Sequence, residues 1–153
     1  LLNLESGFHD ASSTSGNYFT DAWIGRGVAG ADFDNDGDLD IAVSHIDRPA
    51  VVLKNNCRKS GSFVGIELVQ RNRLLPLGSR VRIIQADRSQ EQTQAAGGSY
   101  LSTGDPRLLF YVSDVPCEVE VTWPDGEVSR FPDVRPGRHY RIDKQSLREI
   151  SGT

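Results

Sequence analysis

Five aspartates fall at alternate positions in nine residues, Asp32-Phe33-Asp34-Asn35-Asp36-Gly37-Asp38-Leu39-Asp40. Carboxylates this close repel one another, and a compact loop carrying them is costly without a cation. A hard divalent ion reverses the sign of that energy, because Ca²⁺ takes six to eight oxygen ligands at about 2.3–2.6 Å. The spacing assigns side-chain oxygens of Asp32, Asp34 and Asp36 to loop positions one, three and five. Gly37 falls at position six, where the chain must reverse and a residue without Cβ costs least. Asp38 gives its backbone carbonyl at position seven, and Asp40 closes the shell at position nine, directly or through water. A plain polar turn needs one or two Asp, Asn or Gly residues, not five aspartates in step.

The same opening, D-x-D-x-D-G, begins an EF-hand loop, which also requires a bidentate Glu at position twelve and a helix on each side. Position twelve is Val43, and neither flank is helical in pattern. Before the loop stands Gly25-Arg26-Gly27-Val28-Ala29-Gly30-Ala31, glycine-rich and small. After it, Leu39-Asp40-Ile41-Ala42-Val43-Ser44 alternates as a half-buried strand does. The expectation is a loop between two strands, with Leu39, Ile41 and Val43 facing a core and Asp40 turned away. A third strand follows at residues 50–54, ended by Asn55-Asn56. His45 and Asp47 fall in the intervening turn. They are weak candidates as extra ligands, because the shell is already filled by oxygens and imidazole suits softer metals.

Taken together, residues 25–29, 32–40, 41–43 and 52–56 resemble a single FG-GAP (VCBS-type) repeat, one blade of a β-propeller. That resemblance implies calcium held between two blade strands, with Asp32, Asp34, Asp36, Asp38 and Asp40 at every ligand position. It also implies that the remaining propeller repeats of a parent chain are partners, since a propeller needs at least four blades.

Residues 1–24 are poorly patterned. Ala11 to Asn17 is a loop by composition, while Tyr18-Phe19-Thr20 and Trp23-Ile24 are apolar islands suited to pack on the blade as its first strand. His9 beside Asp10 lacks a nucleophile in an obvious setting. Residues 1–56 thus form a first unit, and 57–62 a polar linker. From Phe63 the character changes to strand after strand. Val64, Ile66 and Leu68 alternate with Gly65, Glu67 and Val69; Val81 and Ile83 with Arg80 and Arg82; Cys117, Val119, Val121 and Trp123 with Glu118, Glu120 and Thr122. Trp123 to Glu127 reads as a Pro-Asp-Gly turn opening a strand at 128–131, and Pro132 punctuates the loop after it. No segment shows a convincing helical period. The fold class is all-β: a propeller-blade-like β-meander with the calcium loop, then a small antiparallel sandwich or barrel over 63–145. Residues 146–153 read as a tail holding at most a frayed turn.

The second unit resembles the ASPIC/UnbV domain. The resemblance is carried by residues 63–68, 71–73, 77–82, Gly97-Gly98-Ser99-Tyr100-Leu101-Ser102 and 119–126. It implies an extracytoplasmic module with no established activity.

Net charge is −4, and the loop alone holds five acids, so the rest of the chain is near neutral. The acidity is local and directed at a metal, with no case for nucleic acid or membrane insertion. In the second unit Arg71, Asn72, Arg73, Arg80 and Arg82 cluster donors suited to carboxylate, sulfate or sugar hydroxyls; the competing reading is a solvated strand face. Tyr100, in its glycine-rich loop, either lines a ligand groove or packs inward at a tight bend. Cys57 and Cys117 are one even pair. Bridged, they close a loop of about 60 residues, worth roughly 3–4 kcal/mol by chain entropy; unbridged, Cys117 is a small core residue. Metal-locked aspartates cannot donate protons, and no G-x-S-x-G, H-E-x-x-H or phosphate-loop pattern occurs. The expected role is non-enzymatic: a Ca²⁺-binding adhesion or ligand-binding module at a cell surface, in the periplasm or secreted, with an extracellular protein or glycan as partner. With no initiator Met, the chain reads as a piece of a longer exported protein. The rival reading is an accessory or enzymatic component of a biosynthetic or hydrolytic pathway that uses the Arg-rich face.

Overall fold

The computed structural model describes residues 2–56, 61–70, 75–86 and 88–150. A short hairpin opens the chain, β1 (Leu2–Leu4) with β2 (Gly7–His9), followed by 3-10 turns at Ser12–Thr14 and Asn17–Thr20. The aromatic islands expected to form a strand close on one another instead. Tyr18 stacks on Trp23 with ring centroids 5.1 Å apart, and Trp23 Nε1 donates to the Tyr18 carbonyl at 2.7 Å. His45 Nε2 lies 3.0 Å from the Tyr18 hydroxyl, and the Arg48 guanidinium sits 4.8 Å above the Trp23 ring. Each ring thus keeps a polar partner within the cluster.

Strands β3 (Gly25–Ala31), β4 (Asp40–His45) and β5 (Val51–Leu53) form the expected antiparallel meander. Around Asp40 its two faces are the reverse of the alternation read from sequence, whereas Val43 is half-buried and Ser44 exposed. Asp40 is buried, whereas Leu39 is 50% and Ile41 38% exposed. The cause is hydrogen bonding. Asp40 Oδ1 accepts from the Asn55 amide at 2.7 Å and Oδ2 from the Phe33 amide at 3.2 Å, so the carboxylate is sheltered by main-chain donors. The opposite face, carrying Val28, Leu39 and Ile41, is open to solvent.

The second unit is a β-sandwich. Its strands are β6 (Ser62–Leu68), β7 (Arg80–Gln85), β8 (Arg88–Thr93), β9 (Gly98–Ser99), β10 (Ser102–Thr103), β11 (Leu108–Val112), β12 (Cys117–Thr122), β13 (Val128–Val134), β14 (Arg138–Ile142) and β15 (Leu147–Ile150). Two four-stranded sheets, ordered β11-β6-β14-β15 and β13-β12-β7-β8, enclose one core that includes Ile66, Phe110, Ile83, Val121 and Trp123. Trp123 takes the core place its phase assigns, its Nε1 donating to Ser129 Oγ at 2.9 Å.

Three details differ from the expectation. Residues 147–150 are not a loose tail: they pair antiparallel with β14 as an edge strand, and Leu147 packs on the core. Strand β13 runs through Pro132, which an edge strand tolerates. A register shift opposite Cys117 to Val119, with Asp133 at φ +58°, absorbs the irregularity as a bulge. And β6 with β14 is a parallel pair within an otherwise antiparallel sandwich. Of the linker, residues 57–60 lie outside the described residues, and Ser62 already belongs to β6.

The two sheets are tied along one edge by a ladder of glutamine side chains. Gln90, Gln92 and Gln94 donate their amides to the carbonyls of Tyr111, Leu109 and Pro106 at 2.5, 2.8 and 3.1 Å. Gln85 adds bonds to Ser113 and Val115. Strand β11 is an edge, and its outward carbonyls are met by side chains of the neighbouring sheet rather than by another strand. The alternation Gln90-x-Gln92-x-Gln94 is visible in the sequence and marks one face of β8 and its extension.

Candidate metal centre

The acidic loop is not a free hairpin. It lies against the outer face of the β11-β6-β14 sheet, and this explains why β6 is buried on both faces. Val64, Ile66 and Leu68 point into the core, while Phe63 and Gly65 are covered from outside. Gly37, at φ +85°, sits directly under the Phe63 ring; a Cβ there would fall 2.0 Å from Phe63 Cδ1. Gly65 leaves the hollow filled by the His139 ring, where a Cβ would stand 2.0 Å from Nδ1. Each glycine is set by a close approach from a distant part of the chain, which no local pattern could reveal.

Oxygens of Asp32, Asp34 and Asp40 all lie within 4.8 Å of one another. At that separation a pair of carboxylates repels by roughly 1 kcal/mol in water and about 3.5 kcal/mol at an effective dielectric of 20. Two features bear on what the loop could hold. Asp32 Oδ2 accepts from the Gly37 amide at 2.9 Å, but Asp32 Oδ1 is buried with no hydrogen-bond partner among the described residues. An unsatisfied oxygen on a buried carboxylate is costly, and a cation is one group that could offset that cost. The donor set, carboxylates converging around a tight glycine turn, is the chemistry of a hard, oxygen-seeking ion.

The remaining acids are arranged unequally. Asp36 is exposed and accepts from the Asp38 amide at 2.8 Å, outside the converging three. Asp38 is buried; its expected role rests on its carbonyl, not its side chain. Lys54 forms an ion pair with Asp34, and that hydrogen bond holds the Asp34 carboxyl below its usual value and the Lys54 ammonium above its own.

Arg107, just before β11, braces the loop from the sandwich side. Its Nη1 donates to Asn35 Oδ1 at 2.6 Å and its Nη2 to the Asp32 carbonyl at 2.8 Å. Asp105 fixes the guanidinium through Nε at 2.7 Å, a bond that raises the pKa of Arg107. The Asp105 amide in turn donates to the Gly30 carbonyl of β3 at 2.8 Å. His139 Nε2 stands 3.2 Å from Asp32 Oδ2, without hydrogen-bond geometry. Burial first, then the Arg107 charge, pushes the imidazole below its ordinary pKa. Arg107 and His139 are not among the residues that sequence spacing singles out. The loop partners of Arg107 lie 72 or more residues away, and no local signal marks either residue as part of the site.

Other expected site residues are not gathered here. Arg71, Asn72 and Arg73 lie outside the described residues. Arg80 and Arg82 are exposed on β7, where Arg80 faces Glu91 at 3.8 Å and Arg82 donates to Ser89 at 3.2 Å, as on a solvated strand face. Tyr100 does not pack inward at its bend: it is 68% exposed at the tip of the β9–β10 hairpin, beside Leu101 at φ +48°. A two-residue connection leaves its central side chains no surface to pack on. Cys117 is a free, buried thiol whose Sγ donates to the Val134 carbonyl at 3.5 Å, and burial raises its pKa. Cys57 lies outside the described residues. Among the described residues no helix is long and apolar enough to cross a membrane.

Comparison with known proteins bears mainly on the second unit. Mouse cartilage acidic protein 1 is 32% identical over 111 residues, a stretch covering 68% of this chain and 17% of that protein. The chain therefore spans about a sixth of the length of the curated relative it matches. The family model described as "ASPIC and UnbV" matches residues 70–149, which include β7 to β14 and most of β15. By that match, over half of its length, the chain belongs to the ASPIC and UnbV family.

Proposed function

We propose that this chain binds Ca²⁺ in the 32–40 loop and serves as a non-enzymatic module of an exported protein, engaging an extracellular protein or glycan ligand. The reading is carried by one observation: three carboxylates converge within 4.8 Å of one another while one oxygen of the buried Asp32 has no partner among the described residues. The meander, with its loop between first and second strands, supports a repeat of the FG-GAP/VCBS type. The solvent-facing apolar side with Val28, Leu39 and Ile41 would then suit neighbouring repeats of a parent chain. A relative named for cartilage supports a place outside the cell. Asp32, Asp34 and Asp40 would ligate directly, with Asp36 and the Asp38 carbonyl drawn in as the loop closes on the ion. Affinity on the order of 10⁻⁴–10⁻³ M follows if the site behaves as extracellular calcium modules do. Calorimetric titration with Ca²⁺ tests this, with a melting curve in chelator beside one in excess calcium. Uptake of one ion, a higher Tm with calcium, and loss of both in Asp32→Asn are expected. No heat of binding and identical melting curves overturn the reading.

A further inference from the structure

The loop makes two sets of contacts, and the two sets alternate along it. Asp32, Asp34 and Asp40 present converging carboxylates, while the Asp32 carbonyl, the Asn35 side chain and Gly37 are held by the sandwich. Two adjacent strands of one sheet carry those holds: Arg107 stands just before β11, and Phe63 lies on β6. We propose that the bound cation is a latch between the two halves of the molecule, and that Arg107 is the positioning residue through which ion binding and docking of the three-stranded sheet on the sandwich are coupled. This rests on the calcium reading above.

The coupling follows from geometry. Asp32 uses its carbonyl toward Arg107, and its buried Oδ1, without a partner among the described residues, is left for an ion. A shift of that one residue changes both contacts together. Asn35, at φ +59°, spends its side-chain oxygen on Arg107, and this fixes the turn that places Asp34 and Asp36 on either side of it. Arg107 is itself locked by Asp105, whose amide holds β3. Without a cation, repulsion among the converging carboxylates pushes the loop open and so pulls on the same contacts. With a cation, that repulsion is offset and the loop is held in the shape that Arg107 and Phe63 contact. Linkage is reciprocal: whatever docking adds to ion affinity, the ion adds to docking.

The test uses the whole chain. Ca²⁺ is titrated into wild type, Arg107→Met and Asn35→Gly, and melting is recorded in chelator and in saturating calcium. Neither substituted residue is an expected ligand, and glycine keeps the positive φ at position 35. The latch predicts calcium binding about tenfold weaker in each variant. It also predicts a calcium-induced rise in Tm at most half that of wild type, and a double variant no weaker than Arg107→Met, because that substitution already removes the bond to Asn35. A merely structural role for Arg107 would lower both melting temperatures equally and leave the calcium-induced increment unchanged; that result overturns the proposal. If wild type binds no calcium, the calcium reading itself fails. If wild type binds and both variants bind equally well, only the latch fails. Should Arg107→Met not fold, the calcium affinity and Tm increment of Asn35→Gly alone decide whether the latch stands.

Discussion

Gly37 and Gly126 share the same backbone angle, φ +85°, yet differ in what a side chain would meet. At Gly126 there is nothing within 4 Å of an added Cβ. At Gly37 three atoms of the Phe63 ring lie 2.0–2.5 Å from it. The ring has little room to retreat, since it packs on His139 at 5.1 Å between centroids and His139 fills the hollow over Gly65. Gly126→Ala should therefore cost only left-handed strain, about 1–2 kcal/mol. Gly37→Ala should cost that strain plus overpacking of about 1–3 kcal/mol. For a chain of this length each kcal/mol moves Tm by roughly 2–4 °C. Urea unfolding of both variants in chelator reads the difference without a contribution from metal. Equal destabilisation of the two would show that the loop does not rest on Phe63, and the seating of the acidic loop on the sandwich would be refuted.

Replacing Gln92 by Leu leaves the Leu109 carbonyl without its donor, and a loss of about 1–3 kcal/mol is expected in urea unfolding. Light scattering should also rise at high concentration, because an unguarded β11 edge can pair with another chain. Asp143 accepts the amides of Gln145 and Ser146 at the β14–β15 turn, and these bonds lower its pKa. Its folded pKa thus lies below its unfolded value near 3.8. The stabilisation it gives is present above that value and is lost as pH falls through the folded pKa. Stability followed by circular dichroism between neutral and strongly acidic pH should fall less steeply in Asp143→Asn than in wild type.

The alternation of apolar residues was enough to place β7 and β12 and to put Trp123 in the core, since a strand with one buried face must show a period of two. The aspartate spacing named Asp32, Asp34 and Asp40, which converge, but also Asp36, which lies exposed outside them. Local pattern could not say which face of β4 is buried. Asp40 is sheltered by main-chain amides from two other segments, and Ile41 faces outward on a sheet that a period-two rule alone would turn the other way. Nor could it show Leu147–Ile150 as a strand, because an edge strand of four residues owes its pairing to β14.

The chain by itself determined an all-β protein carrying a dense acidic loop, because charge spacing and side-chain alternation are properties of neighbours in sequence. Only the tertiary structure decided that this loop lies on the sandwich. Arg107, His139 and Phe63 meet it across separations of 26 to 107 positions. Close approach at that range leaves no periodic trace, only single glycines and single charges whose meaning appears when the partner arrives.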